Sequence, residues 1–388
     1  MRILDEAKAR SGREKSELLS FINGVYRDGT NHGELGEALQ YLHDNSTETF
    51  YKNIFLNRLE YLSGKTLLVS KPQHLLASLS DKCNLNCAMC YEKTGSVIPE
   101  AALDEFTALF PYARRVEWIG GEVLLLENFE RLFDAAAKYP HISQIITTNG
   151  TLVDEKWANK FIANSVEVRF SIDGVTKGTY ERIRRGASFE GLLANLELIK
   201  RLRLGRPRLS RPLICMSFIV MRSNYREIPE VIGFAKAHGI EHVNFLRLLD
   251  FNRESYVREN IDSDPRVEEY LSKAFGRVEE LSGKLGVSYI IHFALGGRKR
   301  GSFNEALNGE KSRPCRVPWE KIEICGDHRV RPYCHCDFVG SVAKNSLGEI
   351  WNGEEMRNYR ERLVRLGQEN SCGSECLERT FCDATLFD

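Results

Sequence analysis

The stretch HLLASLSDKCNLNCAMCYE, residues 74–92, carries a strand and a metal motif side by side. The apolar run HLLASL, bounded by polar residues, reads as a buried strand. Just after it come Cys83, Cys87 and Cys90, spaced Cys-x3-Cys-x2-Cys. Three cysteines this close read as metal ligands, yet a closed structural zinc site wants four. A fourth would have to come from afar, for instance His74 or His335. A [4Fe–4S] cubane on three thiolates instead keeps one iron without a protein ligand, the open position a catalytic metal needs.

Outward from this stretch the pattern repeats. Five more apolar runs follow: RVEWIG, QIITTN, VEVRFSI, LICMSFIV and HVNFLRL. Between them lie amphipathic segments with apolar residues three and four apart, EAALDEFTALF, LENFERLFDAAAKY, DEKWANKFIA, SFEGLLANLELIKRL and REIPEVIGFAKAHG. Strands alternating with helices imply parallel βα units, and right-handed crossovers curl them into a barrel. The expected class is α/β, a partial (β/α)6 TIM-like barrel over residues 73–296, with residues 265–285 as a further helix. Residues 1–72 read as a helical extension, for docking or packing. Residues 297–314, rich in Arg, Lys, Gly and Ser, read as a linker. Residues 315–388 hold seven of the eleven cysteines and read as a small α+β domain. In it KIEICGDHRVRPYC predicts strand–turn–strand and EEMRNYRERLVRLG a late helix.

Composition bounds the function. Apolar residues at 42% and charged ones at 28% suit a globular protein. Lys plus Arg equals Asp plus Glu, 54 each, so no global field draws in nucleic acid or a membrane surface. The basic run RLRLGRPRLSR reads as a solvated helix end. No run nears the ~20 apolar residues of a membrane span. The N-terminus, MRILDEAKAR, lacks the apolar core of a secretory signal. A cytoplasmic location is expected, where clustered cysteines mean metal or redox chemistry rather than disulfides.

The polar motifs fall where strands end. Gly120-Gly121-Glu122 follows the second strand, Thr148-Asn149-Gly150 the third, Ser171–Gly174 (SIDG) the fourth and Met221–Asn224 (MRSN) the fifth. Each alone is ordinary loop chemistry. Together they line the C-terminal rim of the barrel, where active sites of such folds sit.

The Cys-x3-Cys-x2-Cys triplet after the first strand, with GGE after the second, resembles the radical S-adenosylmethionine (SAM) superfamily. The resemblance implies that Cys83, Cys87 and Cys90 ligate a [4Fe–4S] cluster whose open iron is chelated by SAM. Reductive cleavage of SAM then gives a 5′-deoxyadenosyl radical that abstracts a substrate hydrogen atom. It also implies that Gly120, Gly121 and Glu122 meet the SAM amino group and that Ser171 touches its ribose or carboxylate. Arg184 or Arg185 pairs with the carboxylate, Asn149 helps position SAM, and Met89 takes the place of the aromatic residue that packs on adenine.

The tail resembles the SPASM or twitch extension of these enzymes. That implies at least one auxiliary [4Fe–4S] cluster, on Cys315, Cys334, Cys372 and either Cys376 or Cys382. A second, on Cys325, Cys336 and Cys382, is the lesser alternative, because the chain ends six residues after Cys382. Cys215 reads as a small buried hydrophobe, and Cys336 is a candidate hydrogen donor to a substrate radical. The expected activity is oxidoreductase-type modification of a peptide or protein, with an external one-electron donor such as flavodoxin or ferredoxin. The alternatives are a sugar or aminocyclitol dehydrogenase or epimerase acting on a small molecule and, from another class, a non-catalytic zinc or Fe–S scaffold.

Overall fold

The six apolar runs form strands: β1 (His74–Ser78), β2 (Arg115–Ile119), β3 (Ser143–Thr148), β4 (Glu167–Ser171), β5 (Leu213–Val220) and β6 (His242–Arg247). The structure, a computed structural model, describes residues 3–10, 15–27, 32–90, 94–207, 211–250, 253–261, 264–293, 315–334 and 336–366. The expected linker at 297–314 lies outside them. Neighbouring strands pair in parallel, in chain order. The sequence leads to six such strands; the structure adds a seventh, β7 (Ser288–Ile291), against β6. A run of 4 residues is too short for periodicity to separate it from the end of the preceding helix.

Helices α1 (Ile3–Arg10), α2 (Lys15–Arg27), α3 (His32–Asn45) and α4 (Thr49–Leu62) form the N-terminal region. The crossovers are α5 (Glu100–Ala108), α6 (Phe129–Ala137), α7 (Glu155–Ala163), α8 (Lys177–Ile183) with α9 (Phe189–Leu202), α10 (Ile228–Ala237), and α11 (Arg253–Glu259) with α12 (Pro265–Leu285). Local chemistry sets the bounds of α12. Asp264 accepts the Arg266 N–H at its start, Pro265 occupies the first turn, and Gly286 closes it at φ 68°.

Alternate strand residues point to opposite faces. One face packs on the helices: Trp118 lies against Phe106, Phe110 and Phe129, and Phe245 against Phe275. The other faces the barrel lumen, and it is polar. His74 Nε2 meets Glu117 Oε1 at 2.7 Å, Glu117 Oε2 meets Arg169 Nη1 at 3.4 Å, and Arg169 Nε meets Glu167 Oε1 at 2.5 Å. Burial draws His74 down to about 4, so it faces Glu117 as a neutral ring at pH 7. Cys215 is buried as expected, but it lies outside the apolar core, on this polar face, with Sγ 3.9 Å from Glu167.

After residue 314 the chain rejoins the same sheet. Helix α13 (Val317–Glu320) leads into β8 (Lys321–Ile324), which pairs in parallel with the free side of β1. The antiparallel β9 (Arg329–Arg331) and β10 (Gly340–Ser341) follow, giving one sheet in the order β10-β9-β8-β1-β2-β3-β4-β5-β6-β7. The expected strand–turn–strand is thus β8 and β9. Helices α14 (Leu347–Trp351) and α15 (Glu354–Leu366) close the described part.

The N-terminal region is bound to this C-terminal part by buried polar contacts. Trp319 Nε1 donates to the Lys65 carbonyl and Trp351 Nε1 to the Ser70 carbonyl. The Asn352 side chain holds both the N–H and the C=O of Leu68. Arg360 donates to the carbonyls of Thr66 and Pro318. At the centre, Arg58 of α4 and Arg316 reach Glu320 at 2.9 and 3.0 Å, as close ion pairs rather than well-aligned hydrogen bonds.

Burial alone would raise the Glu320 carboxyl, but Arg316 and Arg58 outweigh it and hold it at about 2. A depressed carboxyl stabilises the fold above its ordinary value near 4.5 and loses that contribution as pH falls toward about 2. Glu320→Gln leaves two arginines buried without their anion and is expected to cost about 3–5 kcal/mol at pH 7. Its urea midpoint should also vary less than the wild type's between pH 4.5 and 2. Equal midpoints at pH 7 would show that this triad does not hold the two regions together.

Candidate active site

The loop leaving β1 carries the three cysteines, and glycines fix its path. The Gly121 N–H donates to the Ser80 carbonyl at 2.6 Å and the Glu122 N–H to the Lys82 carbonyl at 2.9 Å. A Cβ on Gly121 would stand 2.0 Å from the Lys82 oxygen, and one on Gly120 2.4 Å from the Ser80 oxygen. Gly120 also has φ +139°, which other residues rarely adopt. On its far side the loop runs along the end of α8: the Asn86 N–H donates to the Arg185 carbonyl, and the Ala88 N–H to that of Ile183.

The rim motifs bond to one another. Glu122 is buried; its carboxylate accepts from Thr148 Oγ1 (2.8 Å), the Asn149 N–H (2.7 Å) and the Leu124 N–H (3.2 Å). Burial pushes its carboxyl up, against the pull of these donors. Asn149 Nδ2 donates to Asn84 Oδ1 at 2.9 Å and lies 3.8 Å from Cys83 Sγ. Asn224 of MRSN donates to the Asp173 carbonyl at 3.0 Å. Asp173, fully buried, binds Arg184 through Nε at 2.7 Å and Nη2 at 2.5 Å, and Arg184 Nη1 lies 3.7 Å from Cys87 Sγ. Arg185 is exposed. This settles which of the two arginines faces the cysteine loop, and it adds Asp173, which the sequence offered only as part of SIDG.

Met89 packs with Ile183, Met221 and Leu248 in a small apolar cluster separate from the main core, with Cys87 and Tyr256 at its border. Ser171 ends β4 on the lumen face, beside Ser217. His74 cannot complete a four-ligand site here: it opens β1, at the other end from the cysteines, and is committed to Glu117.

The three cysteines are half-buried, and the sulfurs of Cys83 and Cys87 are approached by N–H donors, with Leu85 N 3.4 Å from Cys83 Sγ in addition to those above. Such donors suit thiolates bound to metal. Burial pushes the bare Cys87 thiol up, so a metal is what would ionise it. Among the described residues no three His, Cys, Asp or Glu side chains converge on a single ion. A cubane does not ask for that, since each thiolate takes a different iron. The donor set therefore fits a three-cysteine cluster.

In the tail, Cys315 is buried before α13, and Cys334 and Cys336 are half-buried beyond β9. Cys325, in the β8–β9 turn, lies 3.6 Å from Glu323, and burial pushes its thiol up to about 12. Cys372, Cys376 and Cys382 lie outside the described residues.

Residues 77–246 match the family model "Radical SAM superfamily", and residues 315–377 match SPASM, "Iron-sulfur cluster-binding domain". The chain carries a radical SAM domain followed by a SPASM domain. The radical SAM domain binds a [4Fe–4S] cluster and SAM, and the SPASM domain binds auxiliary Fe–S clusters. A curated relative is the PqqA peptide cyclase of Gluconobacter oxydans, 26% identical over 74% of this chain and 78% of that one. Another is the GTP 3′,8-cyclase of Synechococcus elongatus, 22% identical over 52% of this chain and 64% of that one. Among solved structures, Streptococcus suis SuiB superposes with TM-score 0.59 at 15% identity, over 98% of this chain and 88% of that one. The anSMEcpe structure with bound AdoMet and the Kp18Cys peptide gives TM-score 0.54 at 20% identity, over 81% of this chain and 88% of that one. Among the described residues, no helix of this radical SAM protein is long and apolar enough to cross a membrane.

Gly121→Ala is expected to displace the cysteine loop and lose the iron of the cluster held there, about four per chain, while the tail keeps its own, read as iron per chain and visible absorbance after anaerobic reconstitution. Gly233→Ala, where a Cβ meets nothing within 4 Å, should keep it. Full iron in Gly121→Ala would show that the close approach does not set the loop.

Proposed function

We propose that this chain is a peptide-modifying radical enzyme that abstracts a hydrogen atom from a side chain or backbone of its substrate, with net oxidation of the product. The observation that carries this is the half-buried cysteine loop at the top of the lumen, with Arg184 locked beside it by Asp173. The peptide half of the proposal draws on a relative named for a peptide, PqqA, and on the fold likeness to SuiB, solved with its precursor peptide SuiA.

When bound, the cluster and SAM supply the 5′-deoxyadenosyl radical, and the chain's own residues position and shield it. Cys83, Cys87 and Cys90 hold the cluster. Arg184 presents a fixed positive charge to the SAM carboxylate; a guanidinium held on two nitrogens by Asp173 keeps one edge for a ligand. Met89, Met221 and Leu248 offer an apolar shelf for adenine. Glu122 acts chiefly through Asn149, whose backbone it fixes, while Gly120 and Gly121 hold the loop and Ser171 faces the ribose. Cys315 and Cys334, with Cys372 and either Cys376 or Cys382, would hold an auxiliary cluster, which would supply an electron acceptor for the oxidation. An external donor such as flavodoxin or ferredoxin in the cytoplasm reduces the enzyme.

Anaerobic reconstitution, reduction with dithionite and addition of SAM should yield 5′-deoxyadenosine from the wild type and at least about a hundredfold less from Cys87→Ala, as expected when a cofactor ligand is removed. No cleavage by a wild-type chain with its full iron would sink the radical assignment.

A further inference from the structure

The lumen wall changes character with height. Its lower level is the polar chain from His74 to Glu167, in which Arg169 is held between two carboxylates. Higher up, Ser171, Ser217 and Asn244 stand side by side as register partners on β4, β5 and β6, all half-exposed. Higher again, Ile219 and Leu246 are paired and half-exposed, the start of an apolar collar below the cysteine loop.

Asn244 is held in one orientation. Its Oδ1 faces His242 Nε2 at 3.3 Å and His292 Nε2 at 3.1 Å. A carboxamide oxygen only accepts, so both rings donate to it. The other nitrogen of His242, Nδ1, lies 2.8 Å from Ser288 Oγ, and that hydroxyl also lies 3.1 Å from the Glu241 carbonyl. Both ring nitrogens near Asn244 thus sit on the oxygen side of its carboxamide. Its Nδ2 is therefore turned away from both rings. Among the described residues neither that amino group nor the Ser217 hydroxyl has a partner.

We propose that Ser217 and Asn244 are specificity-determining residues that anchor the substrate through a neutral amide, with Asn244 Nδ2 donating to its carbonyl oxygen. This rests on the peptide-modifying assignment and narrows it: the anchored group is an uncharged peptide amide, not a carboxylate or phosphate. Among the described residues, the lumen cation below this level, Arg169, is committed to Glu117 and Glu167 and is not spare for an anion. Adjacent strands lie about 4.8 Å apart, so the two groups address neighbouring polar atoms of one backbone. Ser171 at the same level stays with SAM, which places the anchored amide next to the radical's source.

The test uses the full chain labelled with 15N-asparagine and two probes of one size, the neutral methylamide N-methylacetamide and the anionic carboxylate propionate. Asn244→Asp, an acceptor of the same shape, identifies the Asn244 NH2 signals by their loss. Those signals should shift with the methylamide and not with the carboxylate. The methylamide Kd should rise about tenfold in Asn244→Asp and about threefold in Ser217→Ala, the scale of one lost hydrogen bond. Equal shifts with both probes, no shift with either, or an unchanged Kd in an Asn244→Asp chain whose remaining spectrum is native would each overturn the anchor. The outcome is separable from the assignment it rests on. A wild type that cleaves SAM but shows no amide selectivity loses the anchor alone. One that selects the amide but never yields 5′-deoxyadenosine loses the radical assignment.

Discussion

No side chain fits between the end of β2 and the loop that leaves β1, and the rest of the site follows from that contact. With glycine at 120 and 121, the two backbones exchange hydrogen bonds at van der Waals range. The cysteine loop is then fixed on one flank by β2 and on the other by the end of α8, which brings Cys87 to Arg184. Glu122, carried on the same turn, reaches across to the end of β3 and fixes Asn149, whose side chain meets the loop again at Asn84. A short cysteine-rich loop has little apolar area with which to order itself. Here its order comes from backbone contacts to two rim elements and a side-chain contact to a third, each made by a motif that looks like ordinary loop chemistry in isolation.

That explains what was legible and what was not. The strand order and the cysteine triplet could be read because both are local: a period of apolar residues, and a spacing. The expected strand-end motifs do converge on one rim. Which arginine of IRRG faces inward could not be read, because it depends on the partner, Asp173, held in turn by Asn224 from the next strand. Cys215 is buried as read, but its face of the strand was not legible along the strand alone. Its strand, LICMSFIV, is apolar on both faces by composition, yet the alternation in VEVRFS and HVNFLR already marks one face as polar. Read across neighbouring strands rather than along one, that alternation puts Cys215 in the lumen, in register with Arg169 and His242.

The attachment of the two ends of the chain was the least legible feature. Nothing in NRLEYL announces that Arg58 will sit with Arg316 on Glu320, more than two hundred residues away. Buried ions bring little net stability, because desolvation consumes most of their attraction. They do impose geometry, since a misplaced partner is costly. The same logic applies to Asn352 and Arg360, which bind backbone groups of the segment between α4 and β1 that would otherwise be buried without partners. The segment is thus pinned by α14 and α15, just before the chain enters β1.

β1 is the strand on which these constraints meet. Its two sheet neighbours are β2, from the radical SAM domain, and β8, from the SPASM domain. A displacement of β8 must therefore be felt by the strand that carries the SAM-side cysteines, through a continuous hydrogen-bonded ladder rather than through a hinge. In the proposed reaction, where an auxiliary cluster accepts the substrate's electron, such rigidity would have a physical use. Electron transfer falls off steeply with distance, so a shared sheet keeps the separation of donor and acceptor from drifting. The polar lumen face of that sheet, with its charges already paired at the lower level, would then take the proposed substrate without adding a mobile counter-charge between the two sites.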